Sequence, residues 1–190
     1  MRIITGKAKG VRLETLEGEA TRPTAERVKE AVFSMIQFDV EGRRVLDLFA
    51  GSGQMGLEAI SRGAREAVMV DKSKQAVSII NKNVAKTKFT EQTRVLCADF
   101  ADYIRRFGGE KFDIVFLDPP YAAKLYAPAL RGLLGEEMLK STTLIVCESD
   151  TAEIFKEDEA LRQSFRELRV SKYSKTVITL LSPVIEEAEQ

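Results

Sequence analysis

Short apolar runs alternate with amphipathic stretches through the middle of the chain, which is the pattern of strands followed by helices. Five apolar runs are predicted to be buried strands, at residues 44–49, 67–71, 94–98, 112–117 and 143–147. The stretches that follow them are predicted to be helices, at residues 54–62, from a Ser73 cap to about 86, and at 100–107, 126–135 and 151–162. Repeated strand–helix units predict a mostly parallel sheet with helices on both faces.

The two ends of the chain follow a different pattern. Two β-like runs at 2–5 and 11–14 predict an N-terminal hairpin. Thr24 is a candidate N-cap for a helix that reaches about Phe38. Near the other end, runs at 165–173 and 176–181 have only two residues between them, which predicts an antiparallel hairpin at one edge of the sheet. The expected fold is α/β and Rossmann-like, a seven-stranded mostly parallel sheet with an antiparallel C-terminal hairpin. We expect residues 1–40 to form an extension and residues 41–190 the main domain.

Composition narrows the function classes. The 190 residues fit one domain with a small appendage. The chain has no His, which excludes Ser-His-Asp catalysis and HExxH zinc sites. Its two cysteines, Cys97 and Cys147, are too few for a zinc cluster and are predicted to be core thiols. Because no apolar run approaches the roughly 18 residues of a membrane span, a cytoplasmic protein with no membrane association is expected.

Charge is balanced in total but uneven along the chain. Lys and Arg number 29, as do Asp and Glu. The first twelve residues nevertheless carry four bases and no acid: Arg2, Lys7, Lys9 and Arg12. A neutral total with segregated signs permits a basic face for a polyanion, although solvated helix faces would give the same pattern.

A glycine-rich turn predicts a nucleotide-like cofactor. Residues 51–56, Gly-Ser-Gly-Gln-Met-Gly, match G-x-G-x-x-G between a strand and a helix, and Asp71 ends the next strand about 20 residues on. NAD and S-adenosylmethionine both fit this pattern. Asp47, inside the first strand, favours a ligand with positive charge over an anionic pyrophosphate. Asp99 could accept from an adenine amino group with Phe100 against the ring, or Asp99 could cap a helix.

A stiff loop rich in hydrogen-bond acceptors follows the fourth strand. Its sequence is Asp118-Pro119-Pro120-Tyr121. Two prolines cannot continue a central strand, so the loop leaves the sheet at the carboxyl edge, where doubly wound folds bind ligands. The Asp118 carboxylate, the Pro119 carbonyl and the flat face of Tyr121 suit a planar group that bears NH2. Two acceptors on such an amine would favour a pyramidal nitrogen and aim its lone pair at an electrophilic methyl group.

These motifs together resemble a known family. Residues 47–53 with residues 118–121 look like the class I S-adenosylmethionine-dependent amino-methyltransferases. Residues 2–10 and the block from Thr21 to Ala31 resemble the bacterial RsmD family, whose members methylate the N2 of a guanine in 16S rRNA of the small ribosomal subunit. That family usually has Gly where this chain has Ser174.

The resemblance implies a role for each candidate residue. The cofactor S-adenosylmethionine would lie against Asp47, Phe49, Gly51, Gly53, Asp71, Lys72, Asp99 and Phe100. The target base would lie against Asp118, Pro119, Pro120 and Tyr121. The RNA, either 16S rRNA or a small-subunit assembly intermediate, would contact Arg2, Lys7, Lys9, Arg12 and Arg22. A salt bridge to Glu26 is the alternative role for Arg22, and no metal is expected.

Three other functions stay open from the residues alone. An adenine-N6 methyltransferase would use the same two motifs, although such enzymes generally need additional protein to flip a base out of a duplex. An NAD-dependent oxidoreductase would use the glycine turn and leave residues 118–121 without a role. A non-catalytic RNA-binding module would use neither motif.

Overall fold

The structure, a computed structural model, describes residues 1–16, 23–120, 124–155 and 158–185. Its strands are β1 (Arg44–Asp47), β2 (Glu66–Asp71), β3 (Thr93–Cys97), β4 (Phe112–Leu117), β5 (Leu139–Ser149), β6 (Phe165–Tyr173) and β7 (Thr176–Pro183). Its α-helices are α1 (Pro23–Met35), α2 (Gln54–Ser61), α3 (Lys74–Thr87), α4 (Phe100–Arg106), α5 (Tyr126–Gly135) and α6 (Glu159–Gln163).

The seven strands form one mixed sheet in the order β3-β2-β1-β4-β5-β7-β6. Strands β1, β2 and β3 pair in parallel, as do β4 and β5. Strand β7 is antiparallel to both β5 and β6. The predicted α/β fold, with a mostly parallel sheet and an antiparallel C-terminal hairpin, is confirmed.

The chain divides into two compact units, Met1–Phe100 and Ala101–Gln190. In the first unit, β1 and β2 are central to the core, and Val45, Leu46 and Val68 are fully buried. In the second unit, all six residues of β4 are buried. Runs that are apolar on both faces are what a parallel sheet covered by helices requires.

The N-terminal segment, called here the N-terminal loop, forms the predicted hairpin only in short form, with a single antiparallel bridge in place of two regular strands. One isolated antiparallel bridge joins Arg2 to Arg12, and the Ile3 amide donates to the Val11 carbonyl at 3.0 Å. The Leu13 amide donates to the Met1 carbonyl at 2.9 Å, whereas other amides of the segment donate to side chains of α2, among them Ile4 N to Glu58 Oε2 at 2.8 Å. The loop is therefore held both by its own short backbone pairing and by the helix beneath it.

Two predicted helix boundaries were wrong for local reasons. Helix α1 begins at Pro23, so Thr24 lies inside the helix and not at the position before it. Proline suits the first helical position because the amide hydrogen it lacks has no partner there. Helix α6 begins only at Glu159, eight residues later than predicted. Its cap is Asp158, whose side chain accepts from the Leu161 amide at 3.1 Å.

The cysteines and the last turn also bear on the predictions. Cys147 is fully buried in β5, as predicted, but Cys97 is exposed because it ends β3 at the edge of the sheet.

The β6–β7 hairpin turns at Ser174, which has a φ of +58°. A residue with a positive φ is needed there, a conformation that glycine adopts at less cost than serine.

Candidate functional site

The glycine turn between β1 and α2 approaches its neighbours too closely for side chains. Gly53 has a φ of +77°, and a Cβ there would lie 3.1 Å from the Met69 sulfur. A Cβ on Gly56 would lie 2.8 Å from both Cγ and Sδ of the same methionine. The positive φ of Gly53 favours glycine because of its backbone conformation. The absence of a side chain at Gly56 allows α2 to pack closely on β2.

Asp71 ties this turn to the end of β2. Its Oδ2 accepts from the Gly51 amide at 2.9 Å, and its Oδ1 accepts from the Ser73 amide at 2.8 Å. Ser73 in turn caps α3 by accepting from the Ala76 amide at 3.3 Å. One carboxylate therefore orients both the glycine turn and the start of the next helix, and each of its oxygens retains a further lone pair for a ligand.

Asp47 lies beneath the turn with its side chain almost fully buried. Its Oδ2 accepts from the Gly56 amide at 3.1 Å. Burial raises the pKa of Asp47 to about 7, the Gly56 hydrogen bond works against that rise, and the nearby charge of Asp71 adds to it. A positive charge bound here would stabilise the ionised form of Asp47.

The remaining cofactor candidates lie along the ends of β2 and β3. The rings of Phe49 and Phe100 are 5.3 Å apart between centroids and tilted by 42°. The Ala98 amide donates to the Asp71 carbonyl at 3.1 Å, which holds the chain just before Asp99 beside the end of β2. Lys72 and Asp99 are exposed. The structure thus brings the eight predicted cofactor residues to one edge of the first unit.

The acceptor-rich loop belongs to the second unit. Strand β4 ends at Leu117 as predicted, and the following Asp118 is exposed, Pro119 buried and Pro120 exposed. Tyr121 lies outside the described residues.

Four of the five bases predicted to contact RNA lie on the N-terminal loop: Arg2, Lys7, Lys9 and Arg12, all exposed. Arg22, the fifth, lies outside the described residues. Glu26, considered as a partner for Arg22, has its Oε2 3.5 Å from Nε of Arg2.

A buried carboxylate that the sequence analysis missed anchors this loop. Glu58 of α2 accepts from the amides of Ile4 at 2.8 Å and Thr5 at 3.0 Å. It also pairs with Nζ of Lys29 at 3.3 Å and Nε of Arg62 at 2.8 Å. The side chains of Glu58 and Lys29 are 0% and 1% exposed. The signal in the sequence is that Lys29 stands in the apolar stripe of α1.

Two further polar residues hold the same loop. Ser61 Oγ accepts from the Ala8 amide at 3.0 Å, and the Ser61 carbonyl accepts from the Lys7 amide at 2.8 Å. The side-chain amide of Asn83 pairs with both backbone groups of Glu14, at 2.8 and 2.9 Å. The basic loop is therefore preformed on the first unit.

Comparisons with known proteins identify the family. The model for Conserved hypothetical protein 95 matches residues 1–182. Ribosomal RNA small subunit methyltransferase D of Haemophilus influenzae is 35% identical over 79% of this chain and 79% of its own length, and the protein of that name from Escherichia coli K12 is 32% identical over 79% and 75%. The chain belongs to the RsmD family.

Solved structures agree with this RsmD-family assignment. The yhhF protein of Escherichia coli superposes with a TM-score of 0.83 at 27% identity and covers 98% of this chain and 99% of that chain. A hypothetical protein of Thermus thermophilus gives a TM-score of 0.75 at 30% identity over 95% and 98%. This RsmD-family member is therefore a methyltransferase with the class I fold.

The described residues contain neither a membrane-spanning helix nor a cluster of metal-ligating side chains. No helix among them is long and apolar enough to cross a membrane. No group of three or more Cys, Asp or Glu residues in the described part of this RsmD-family chain could hold a metal ion.

Proposed function

We propose that this chain transfers a methyl group from S-adenosylmethionine to the exocyclic N2 amine of a guanine in 16S rRNA. The observation that carries the proposal is the buried carboxylate of Asp47 under a glycine turn that approaches β2 too closely for side chains. The names of the relatives from Haemophilus influenzae and Escherichia coli support the RNA substrate.

The residues of the first unit fit S-adenosylmethionine. Asp47 would face the positively charged methionine part, since its pKa of about 7 lets a bound cation convert it fully to the carboxylate. Gly51 and Gly53 would let backbone approach that part, and Asp71 would accept from the ribose hydroxyls. Asp99 would accept from the adenine amino group, with the Phe49–Phe100 pair beside the ring. Exposed Lys72 would lie at the rim.

The loop after β4 would hold the target base. Asp118 and the Pro119 carbonyl would accept the two hydrogens of the amine, and Tyr121 would stack on the ring, with Pro120 keeping the loop stiff. S-adenosylmethionine supplies an electrophilic methyl group when it is bound. Gripping the amine by two acceptors frees its lone pair from the ring, and Asp118 or water takes the proton that the nitrogen loses. A histidine base is not needed for this.

The N-terminal loop would bind the RNA backbone. Lys7, Lys9 and Arg12 would contact phosphates and add affinity without base choice, and Arg22 would lie at the mouth of the site. Because the loop is preformed, little ordering entropy opposes this contact. The substrate would be 16S rRNA or a small-subunit assembly intermediate, in the cytoplasm.

The test is a methylation assay with a defined product. The protein is mixed with isotope-labelled S-adenosylmethionine and small ribosomal subunits from cells that lack their own enzyme of this kind, and the digested rRNA is analysed by mass spectrometry. We expect labelled N2-methylguanosine. Labelled N6-methyladenosine would support the adenine alternative instead, and no transfer to any RNA would contradict the proposal.

Two variants separate catalysis from binding. We expect Asp118→Ala to abolish turnover while calorimetry shows unchanged binding of S-adenosylmethionine, whereas Asp150→Asn, at another exposed acid, should change neither. Arg22→Ala should weaken RNA binding. If RNA affinity and turnover are both unchanged in Arg22→Ala, that residue has no role at the site.

A further inference from the structure

A second acid lies beside Asp118 at the carboxyl edge of the second unit. Strands β4 and β5 are parallel, and the last pair in register is Leu117 with Cys147. Glu148 is the next residue of β5, and Asp118 is the first residue after β4. Adjacent strands lie about 4.8 Å apart, so the backbones at these two positions are neighbours as the loop begins to leave the sheet.

The backbone of Glu148 is fixed from two sides. On β7 it pairs in antiparallel register with Ile178, and the Tyr126 hydroxyl at the start of α5 donates to the Glu148 carbonyl. Its neighbours along the strand, Cys147 and Ser149, are fully buried. Since side chains alternate along a strand, Glu148 points to the opposite face from these two.

The carboxyl group of Glu148 is half-buried rather than solvated. Burial raises the pKa of Glu148 to about 7. A hydrogen bond made in such partly dry surroundings is stronger than one made in water, and a carboxyl without a partner there is costly. No step of the proposed transfer uses this group.

We propose that Glu148 is a specificity-determining residue that accepts a hydrogen bond from N1–H of the target guanine while Asp118 accepts from the N2 amine. This rests on the proposed function. Guanine presents two donors side by side on its Watson–Crick edge, N1–H and the N2 amine. Adenine presents its N6 amine beside a lone pair on N1, which a carboxylate repels. Two neighbouring acids therefore match guanine and oppose adenine.

The same chemistry addresses the choice that the two motifs leave open. Residues 47–53 and 118–121 suit guanine N2 and adenine N6 equally, because both are aromatic amines. A site that hydrogen-bonds a particular N–H rejects the analogue without it, since a buried polar group then loses its partner. Glu148 supplies that discrimination from a fixed strand, while the loop after β4 holds the reacting amine.

The experiment replaces the target guanine by 2-aminopurine in a synthetic RNA. This base keeps the amine at C2 but carries a lone pair on N1 in place of the N1–H. Wild-type protein should prefer guanine by about 10- to 100-fold in kcat/KM. In Glu148→Gln the side-chain amide can turn to donate to N1 of 2-aminopurine, so the preference should fall to about threefold or less.

The ratio of the two rates is insensitive to damage that lowers both. Glu148→Asp keeps the charge but withdraws it by one methylene, so it should lower kcat/KM for guanine and retain the preference. Glu153→Gln, at an exposed acid of the same unit, should behave as wild type.

Two results overturn different statements. A guanine preference in Glu148→Gln equal to that of wild type would refute the role of Glu148 and leave the proposed function intact. If the wild type methylates neither base while it still binds S-adenosylmethionine, the proposed function itself fails, and with it the role of Glu148.

Discussion

Helix α2 involves two buried carboxylates, one within the helix and one beneath its first turn, and the two are satisfied in opposite ways. Glu58, inside the helix, contacts two cations and two backbone amides. Asp47, beneath the first turn, accepts from the Gly56 amide. The charged group that affects its pKa is another acid, Asp71. Burial is nearly complete at both.

This difference separates structure from function. A buried charge is tolerated when it is paired and hydrogen-bonded, and Glu58 meets that condition within the folded chain itself. Asp47 meets it only in part, which is why its pKa is raised to about 7. Incomplete satisfaction of a buried group is a feature of functional sites, where a ligand completes it. Glu58 therefore holds the fold, whereas the proposed role of Asp47 is to bind a cation.

The largest effect should come from breaking the Glu58 cluster. Glu58→Ala leaves the ammonium of Lys29 buried without its carboxylate and two loop amides without their acceptor. We expect a loss of about 3–5 kcal/mol in the free energy of unfolding, measured by urea denaturation. RNA affinity should fall as well because the basic loop loses its anchor.

A matched control uses a pair with similar geometry but more exposure. Arg44 Nε lies 2.8 Å from Glu66 Oε2, and these side chains are 17% and 33% exposed. Glu66→Ala should cost about 1 kcal/mol or less. Equal losses in the two variants would mean that burial does not distinguish the Glu58 cluster.

The sequence pattern predicted the helices, strands and turns of this molecule better than the long-range contacts between them. The limits of α5 and β4 follow from apolar periodicity, and the turn at 51–56 follows from three glycines, because these features are local. The contacts of Glu58 and Asn83 with the N-terminal loop join residues more than 50 positions apart, and no local pattern encodes such a pairing. The late start of α6 depends on the Asp158 cap.

At the candidate site, too, the sequence predicted local features but not the contacts between residues far apart in the chain. The sequence placed Asp47 and Asp71 at strand positions near the turn, and both lie there. It did not predict that Asp71 binds the Gly51 and Ser73 amides, nor that Leu117 pairs with Cys147 just before Asp118 and Glu148, since strand pairing is a property of the whole sheet.

A smaller loss should follow from crowding the turn above Asp47. A methyl group on Gly56 would lie 2.8 Å from two side-chain atoms of fully buried Met69. Gly56→Ala should therefore cost about 1–3 kcal/mol through overpacking, more than the roughly 1 kcal/mol that alanine gains over glycine in a helix. Affinity for S-adenosylmethionine should fall because the turn shifts.

Gly135 provides the control for this change. It lies in the last turn of α5, and a Cβ there meets nothing within 4 Å. Gly135→Ala should be neutral or slightly stabilising by thermal denaturation. A stable Gly56→Ala variant that still binds S-adenosylmethionine would show that the turn adapts to a side chain. The close packing of the turn above Asp47 would then not be needed for cofactor binding.

The charge of Asp47 should appear in the pH dependence of stability. Its pKa rises from an ordinary value of 3.8 to about 7 in the folded protein, so the folded state keeps a proton that the unfolded state releases. Stability should thus fall as pH rises between about 4 and 7, by at most about 1.4 kcal/mol per pH unit. Asp47→Asn removes this contribution, and urea denaturation at several pH values measures the difference.

The raised pKa of Glu148 affects the pH dependence of stability in the same direction in wild type and in Asp47→Asn. The difference between the two proteins therefore measures the contribution of Asp47 alone. Parallel stability curves for wild type and Asp47→Asn would contradict the assignment. Binding gives a second reading: at pH 7 S-adenosylmethionine should release a proton from Asp47, seen by calorimetry in buffers of different ionisation enthalpy. That release should be absent in Asp47→Asn.

The smallest effect concerns the exposed pair at the rim of the N-terminal loop. Arg2 and Glu26 lie 3.5 Å apart with side chains 63% and 33% exposed. Glu26→Gln should change the free energy of unfolding by less than about 0.5 kcal/mol, because exposed pairs contribute little. RNA affinity at low salt should rise, since Arg2 would no longer be partly neutralised, and the gain should vanish at high salt. Glu30→Gln, at an exposed acid one turn further along α1, is the control. If Glu26→Gln destabilises the protein as strongly as Glu58→Ala does, the loop is held by its surface and not by the buried carboxylate.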